Sequence, residues 1–318
     1  LTKLERLIIT SPPVAFLIRK AKKISLPGFE GLPLYDVALF FIRQMQQIGL
    51  NERAAAISFN FLMAIPPLAI VLFTILSHLP MSDKLYREAL ILIQQITPDK
   101  ATYRILKSIM DDFFKPGGGL ISLGLLFAIY FSSNAVITIM RTFNKSILHI
   151  DVEKRNFIQL RFEAIKLTIL ILTLIIGTML ILVVQGSILD GIRTWLSLGS
   201  ASMKWIVELI RLLLTFIMVF FSIAFIYRFA PAIEKKWKLN SPGALLATFL
   251  IIGFTYVFSY WVNNVAAYNR VYGSLGSILI LMLLVFVNSL VLLIGFELNV
   301  SINSLKAIAN RRMAEESN

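Results

Sequence analysis

The side chains that could do chemistry are few and widely spaced. The chain has two histidines, His78 and His149, and no cysteine. Thiolate nucleophiles, disulfides and sulfur-held metals are excluded at once. Metal-dependent cleavage of RNA needs His, Asp and Glu gathered around open coordination positions. Asp111–Asp112 is an acidic pair far from both histidines in the chain. Basic runs such as Lys235–Lys236–Trp237–Lys238 could touch phosphate. In a membrane chain they are better explained as cytoplasmic loops. A nuclease is therefore rejected, no catalytic residue is assigned, and neither a metal nor a cofactor is expected.

One acid draws attention by its surroundings. The stretch YGSLGSILILMLLVFVNSLVLLIGFELN at 272–299 has no charge from Gly273 to Phe296 and closes on Glu297. A carboxylate there needs a partner or a route to headgroups. Arg228 is the expected partner, at similar depth, with Arg141 as the substitute. The pair would be a structural lock or a gate.

Ion-coupled carriers place Asp, Glu or His near the bilayer centre. Here the central polar positions are Asn60, Asn134 and Asn288, while Glu163, Lys166, Glu208, Arg211, Arg228 and Glu297 fall toward helix ends. That pattern disfavours proton or sodium coupling. It fits an amphiphile whose tails stay in the bilayer while its head follows a modestly polar groove. The candidate ligand positions are Asn60 and the adjacent kink at Pro66 and Pro67, with Glu208, Arg211, Asn264, Asn269 and Arg270 at the outer end. Arginine suits a phosphorylated head, since guanidinium can hold two phosphate oxygens. The kink should open the bundle laterally toward spans four to six, with the head near Arg211 or Arg270.

The elements that must position these residues follow from hydropathy. Of 318 residues, 57% are hydrophobic and 15% charged, with mean hydropathy +0.78 and net charge +13. Soluble domains carry about 25% charged residues. Uncharged or nearly uncharged runs predict spans at about 54–78, 120–140, 165–187, 205–227, 243–262 and 273–296. The expected fold is an all-α integral membrane protein of six transmembrane helices plus amphipathic interfacial helices. Residues 1–52 form a basic cytoplasmic or interfacial segment, with Leu34 to Ile48 amphipathic on the inner leaflet or offered to a partner. Residues 53–303 form the membrane domain, with an outer helical hairpin at about 81–115, and residues 304–318 a cytoplasmic tail. Ser241 followed by Pro242 predicts a capped helix start. No signal peptide is expected in Thr2 to Lys23. No internal repeat is evident. Of the 31 Lys and Arg, 21 fall on the side of the N- and C-termini and 10 on the other, so both termini are expected in the cytoplasm.

The residues RAAAISFNFLMAIPPL at 53–68, YRFAP at 227–231, SPGALLA at 241–247 and the stretch at 272–299 carry a resemblance over about 40–305. There the chain resembles the YihY / virulence factor BrkB family of bacterial inner-membrane proteins. The resemblance implies a multi-pass inner-membrane protein. Members once carried the label ribonuclease BN and are linked to serum resistance and envelope lipid traffic. It implies transport or handling of a lipid-like envelope molecule, with membrane lipids as partners and envelope lipid-transfer proteins as candidates. A non-transporting scaffold for envelope partners is the alternative. No nucleic-acid partner is expected.

Overall fold

A computed structural model describes residues 12–77, 121–147, 153–196, 200–264 and 274–316, with scattered positions between 83 and 111. The described chain is built from α-helices: α1 (Pro12–Ala21), α2 (Leu34–Gln47), α3 (Leu50–Ser77), α4 (Ile121–Asn144), α5 (Phe157–Leu196), α6 (Ser200–Phe229), α7 (Pro242–Asn264) and α8 (Ser274–Glu316). In lipid an isolated segment can satisfy its backbone hydrogen bonds only as a helix, so long uncharged runs become helices.

Among the described residues, five helices are long and apolar enough to span, at Leu50–Leu72, Gly124–Asn144, Leu212–Phe229, Pro242–Val262 and Ile278–Glu315. The expected third span, 165–187, lies inside the 40-residue α5, which is not among the five. The helices pack in chain order from α3 to α8, and α8 returns against α3 to close a ring. The main core gathers Ile57 of α3, Met140 and Phe143 of α4, Leu167 of α5, Tyr227 of α6, Ala247 of α7 and Phe296 of α8. A much smaller cluster joins Val71, Ala128 and Leu172 further along α3, α4 and α5.

Two glycines set the closest approach. A Cβ on Gly243 of α7 would collide with the Gly295 carbonyl of α8, and one on Gly295 would lie 2.5 Å from the Tyr227 hydroxyl. The helices touch backbone to backbone, and polar groups complete the seam. The Gly243 amide donates to Asn299 Oδ1 at 2.8 Å, and Asn299 Nδ2 donates to Ser241 Oγ at 2.9 Å. Ser241 Oγ also accepts the Ala244 amide at 3.3 Å, so the cap expected before Pro242 is present. Tyr227 donates to the Leu292 carbonyl at 2.6 Å.

α8 has 43 residues. At about 1.5 Å per residue it is about 65 Å long, twice the hydrocarbon thickness. Its extension beyond Glu297 packs with Phe29, Val37 of α2 and Ile302 in a separate apolar cluster. Lys306 pairs with Glu30 on that extension. The amphipathic α2 is therefore docked on the chain's own last helix. Its inward residue, Val37, is covered by protein, while Ile42 on the same helix stays exposed.

The loops at this end are also pinned. Arg155 donates to the carbonyls of Ala230 and Pro231 at 3.2 and 3.1 Å, and the Ala232 amide donates to Asn144 Oδ1 at 2.9 Å. In the 81–115 stretch, the Tyr86 hydroxyl donates to the Asp111 carboxylate. That hydrogen bond, helped by burial, pushes the Tyr86 phenol up to about 12.

Candidate functional site

Two polar places interrupt the apolar bundle. The first is a recess of about 350 Å³ between α3 and α4, lined by Asn60, Met63, Ala64, Pro66, Pro67 and Ile70 with Phe131 and Asn134. Proline lacks an amide hydrogen, so Pro66 and Pro67 cannot donate to the carbonyls of Leu62 and Met63. Two consecutive rungs of the helix ladder are missing beside Asn60, whose Nδ2 donates to the Ala56 carbonyl at 2.9 Å. Met63 is 63% exposed and Phe131 52%, so the recess faces outward from the bundle, where lipid would lie. The recess beside the prolines lies between α3 and α4. It does not open toward the fourth to sixth spans, because the wall opposite the prolines is Phe131 and Asn134.

Arg161 of α5 reaches the same region of α4. Its Nη1 donates to the Tyr130 carbonyl at 3.3 Å, Ser133 Oγ at 2.9 Å and Asn134 Oδ1 at 2.8 Å. The guanidinium lies 4.2 Å from the Tyr130 ring centroid. Asn134 therefore touches both the recess and the cation. Sequence reading placed Arg161 among the basic loop residues, because its Cα stands before the uncharged run of α5. One signal was present: Glu163 pairs with Lys166 at 3.3 Å, which leaves Arg161 without the nearest acid.

The second place surrounds Glu297, which is fully buried. Arg53, at the start of α3, donates from Nη1 to Glu297 Oε1 at 3.1 Å. Its Nη2 donates to the Thr142 carbonyl and, at 2.5 Å, to Ser146 Oγ. Ser146 Oγ donates in turn to Glu297 Oε1. Gln44 Nε2 donates to the Ser146 carbonyl at 3.4 Å. The tie joins α2, α3, the end of α4 and α8. Phe143 stacks on Phe296 with centroids 3.6 Å apart, and Trp237 packs on the same ring at 5.4 Å. A hollow of about 480 Å³ beside it is lined by Gln44, Gln47, Ile48, Gly49, Glu52, Arg53 and Lys145.

This overturns the expected partner of Glu297. Arg228 points to the Phe229 ring, 5.8 Å from its centroid, and Arg141 is exposed. The reason is rotation. Successive helix residues are turned by about 100°, and α6 presents Tyr227, not Arg228, to α8. Arg53 was readable as the counterpart of Glu297: it is the last charge before an uncharged run, as Glu297 is the first charge after one.

Glu208, Arg211 and Asn264 belong to helices whose side chains there lie outside the described residues, and Asn269 and Arg270 lie outside them altogether. His78 and His149 do so too. Among the described residues, no group of three or more His, Cys, Asp or Glu could hold a metal ion.

The long apolar helices, the buried ion pair and the lipid-facing recess define a multi-pass, all-helical membrane protein. The sequence model of the family described as virulence factor BrkB matches residues 41–318. The chain belongs to that family. It is 27% identical over 266 residues to a protein named ribonuclease-like protein YfkH of Bacillus subtilis, covering 81% of this chain and 92% of the relative. It is 26% identical over 268 residues to a UPF0761 membrane protein of Haemophilus influenzae, covering 84% and 95%. A UPF0761 membrane protein of Xanthomonas campestris is 24% identical over 269 residues, covering 84% of this chain and 60% of that longer relative. No solved structure matches.

Proposed function

We propose that this protein admits a lipid-like envelope molecule laterally from the bacterial inner membrane and carries or presents it along the bundle, without chemistry on it. The observation behind this reading is the outward-facing recess at Asn60, Pro66, Pro67, Phe131 and Asn134. At about 350 Å³ it falls within the usual range of ligand sites, about 300–1,000 Å³. Its lining is apolar with two amides, which suits a chain in the recess and a polar group at its rim. The proposed topology has six spans, α5 supplying the sixth, with both termini in the cytoplasm as the charge asymmetry favours. Membrane lipids are the proposed ligands, and envelope lipid-transfer proteins the partners that would receive them.

The test is lipid movement in liposomes holding the purified chain. Faster transfer of labelled lipid than in empty liposomes, slowed by Asn60→Leu, is expected. Movement equal to that of empty liposomes would remove the transport reading and leave a scaffold in front.

A further inference from the structure

We propose that Arg161 is the headgroup site of the recess and that it holds the phosphate of an acyl phospholipid whose chain enters between α3 and α4. This rests on the lateral-entry reading above and adds the chemical class of the ligand.

The first observation is depth. The acceptors of Nη1 belong to Tyr130, Ser133 and Asn134, within the span Gly124–Asn144. They lie about 15–20 Å along the helix from its Asn144 end. A cation held there is expensive unless something anionic answers it.

The second is the missing answer. Arg53 has Glu297, Arg155 has Glu153 and Lys166 has Glu163. Among the described residues Arg161 has no carboxylate partner; its contacts are a carbonyl, a hydroxyl, an amide oxygen and an aromatic face. Nη1 is fully used. Nε is buried without a partner, and Nη2 has none among the described residues. A phosphate oxygen can accept from Nη2 through a charge-assisted bond.

The third is the approach. Ile158, Arg161 and Phe162 share one face of α5 at i, i+3 and i+4. Ile158 is 79% exposed and Phe162 68%, so this cation emerges through an apolar, lipid-facing strip. A ligand arriving there comes from the bilayer, with its charge in the head and its bulk apolar. Asn134, which bonds Arg161 and lines the recess, connects head to chain. A phospholipid fits both halves.

The chain has no cysteine, so Met63→Cys installs a single benzophenone probe in the recess. The full-length protein is placed in phosphate-free maltoside micelles doped with phosphatidylglycerol or with diacylglycerol, and photo-crosslinked lipid is counted. Phosphatidylglycerol should crosslink about tenfold more than diacylglycerol, the weight of one charge-assisted contact. Arg161→Gln should bring it down to the diacylglycerol level, with Arg161→Lys in between, since lysine keeps the charge and loses the fork. If the glutamine variant does not fold, the lysine variant carries the comparison. Equal yields for the two lipids, or a phosphatidylglycerol yield indifferent to Arg161, would overturn the proposal and leave the recess reading standing. Competition by soluble glycerol phosphate would overturn it in favour of a small-anion site. Crosslinking of neither lipid would remove the recess reading as well.

Discussion

Replacing Arg53 by methionine tests what the buried pair does. The substitution keeps the apolar stem and removes the guanidinium. Glu297 would then be left fully buried beside the Ser146 hydroxyl and the Gln44 amide. Stranding one member of a buried pair costs about 3–5 kcal/mol, a large part of a typical stability of about 5–15 kcal/mol. Glu297→Gln is milder. Arg53 keeps the Thr142 carbonyl and Ser146 Oγ, and the new amide still offers an oxygen, so about 1.5–3 kcal/mol is expected. The double variant strands no charge. It should cost less than the sum of the single changes by about 1–3 kcal/mol. The assay is denaturant-induced unfolding in mixed micelles followed by tryptophan fluorescence, in which Trp237 reports on the Phe296 ring beside Glu297. A parallel cycle with Arg228→Gln should be additive, because Arg228 faces Phe229. Additivity in the Arg53 cycle, or equal coupling in the Arg228 cycle, would refute the assignment. The same variants separate lock from gate. A lock lowers stability and leaves lipid movement per folded molecule unchanged, whereas a gate, once broken, speeds it.

Gly243→Ala and Gly295→Ala should each destabilise by about 1–3 kcal/mol through overpacking, read in the same unfolding assay; unchanged stability would show that α7 and α8 can separate without loss. Tyr227→Phe should cost about 1 kcal/mol by removing the donor to the Leu292 carbonyl, and a neutral result would mean that this bond contributes nothing net. For topology, Lys236→Cys should react with an impermeant maleimide only after the membrane is opened, and Lys107→Cys in intact cells stripped of their outer membrane. The reverse pattern would invert the orientation.

Helices were legible because lipid leaves the backbone one way to satisfy itself. The uncharged runs beginning at Ala54 and Leu212 and ending at Phe296 therefore read directly as elements. The cap at Ser241–Pro242 was legible for a similarly local reason. The need of Glu297 for a partner could also be read, since it follows from where the acid sits. Depth alone left Arg53, the last charge before its uncharged run, and Arg228 as equals. Arg228 and Glu297 share a depth, but the turn of α6 decides that Tyr227 is presented. Arg161 was hidden by a different geometry. Its Cα stands near a basic loop while its side chain reaches the middle of α4. Only the packing of α5 on α4 reveals how deep the charge goes.

Both polar places draw on α3, one at its start through Arg53 and the other at its prolines. Arg53, Ile57, Asn60 and Ala64 recur along one stripe of α3, at spacings of three and four residues. Arg53, Ile57 and Ala64 are buried, so this half of α3 is held against the bundle and tied to α8 by the ion pair. Past Pro66–Pro67 the helix packs through Val71 into the small cluster with Ala128 and Leu172. The prolines therefore separate the half tied to α8 from the half that packs on Ala128 and Leu172, and at that joint the carbonyls of Leu62 and Met63 lack their helical donors. Local opening costs least where few apolar contacts must be broken. With two helical bonds absent, the joint is the point of α3 that opens most readily, and the recess sits there. The Arg53–Glu297 tie holds the near half of α3 on the bundle. An acyl chain entering the recess would meet Asn60 and Ala64 of the anchored half before the prolines and Ile70 beyond them.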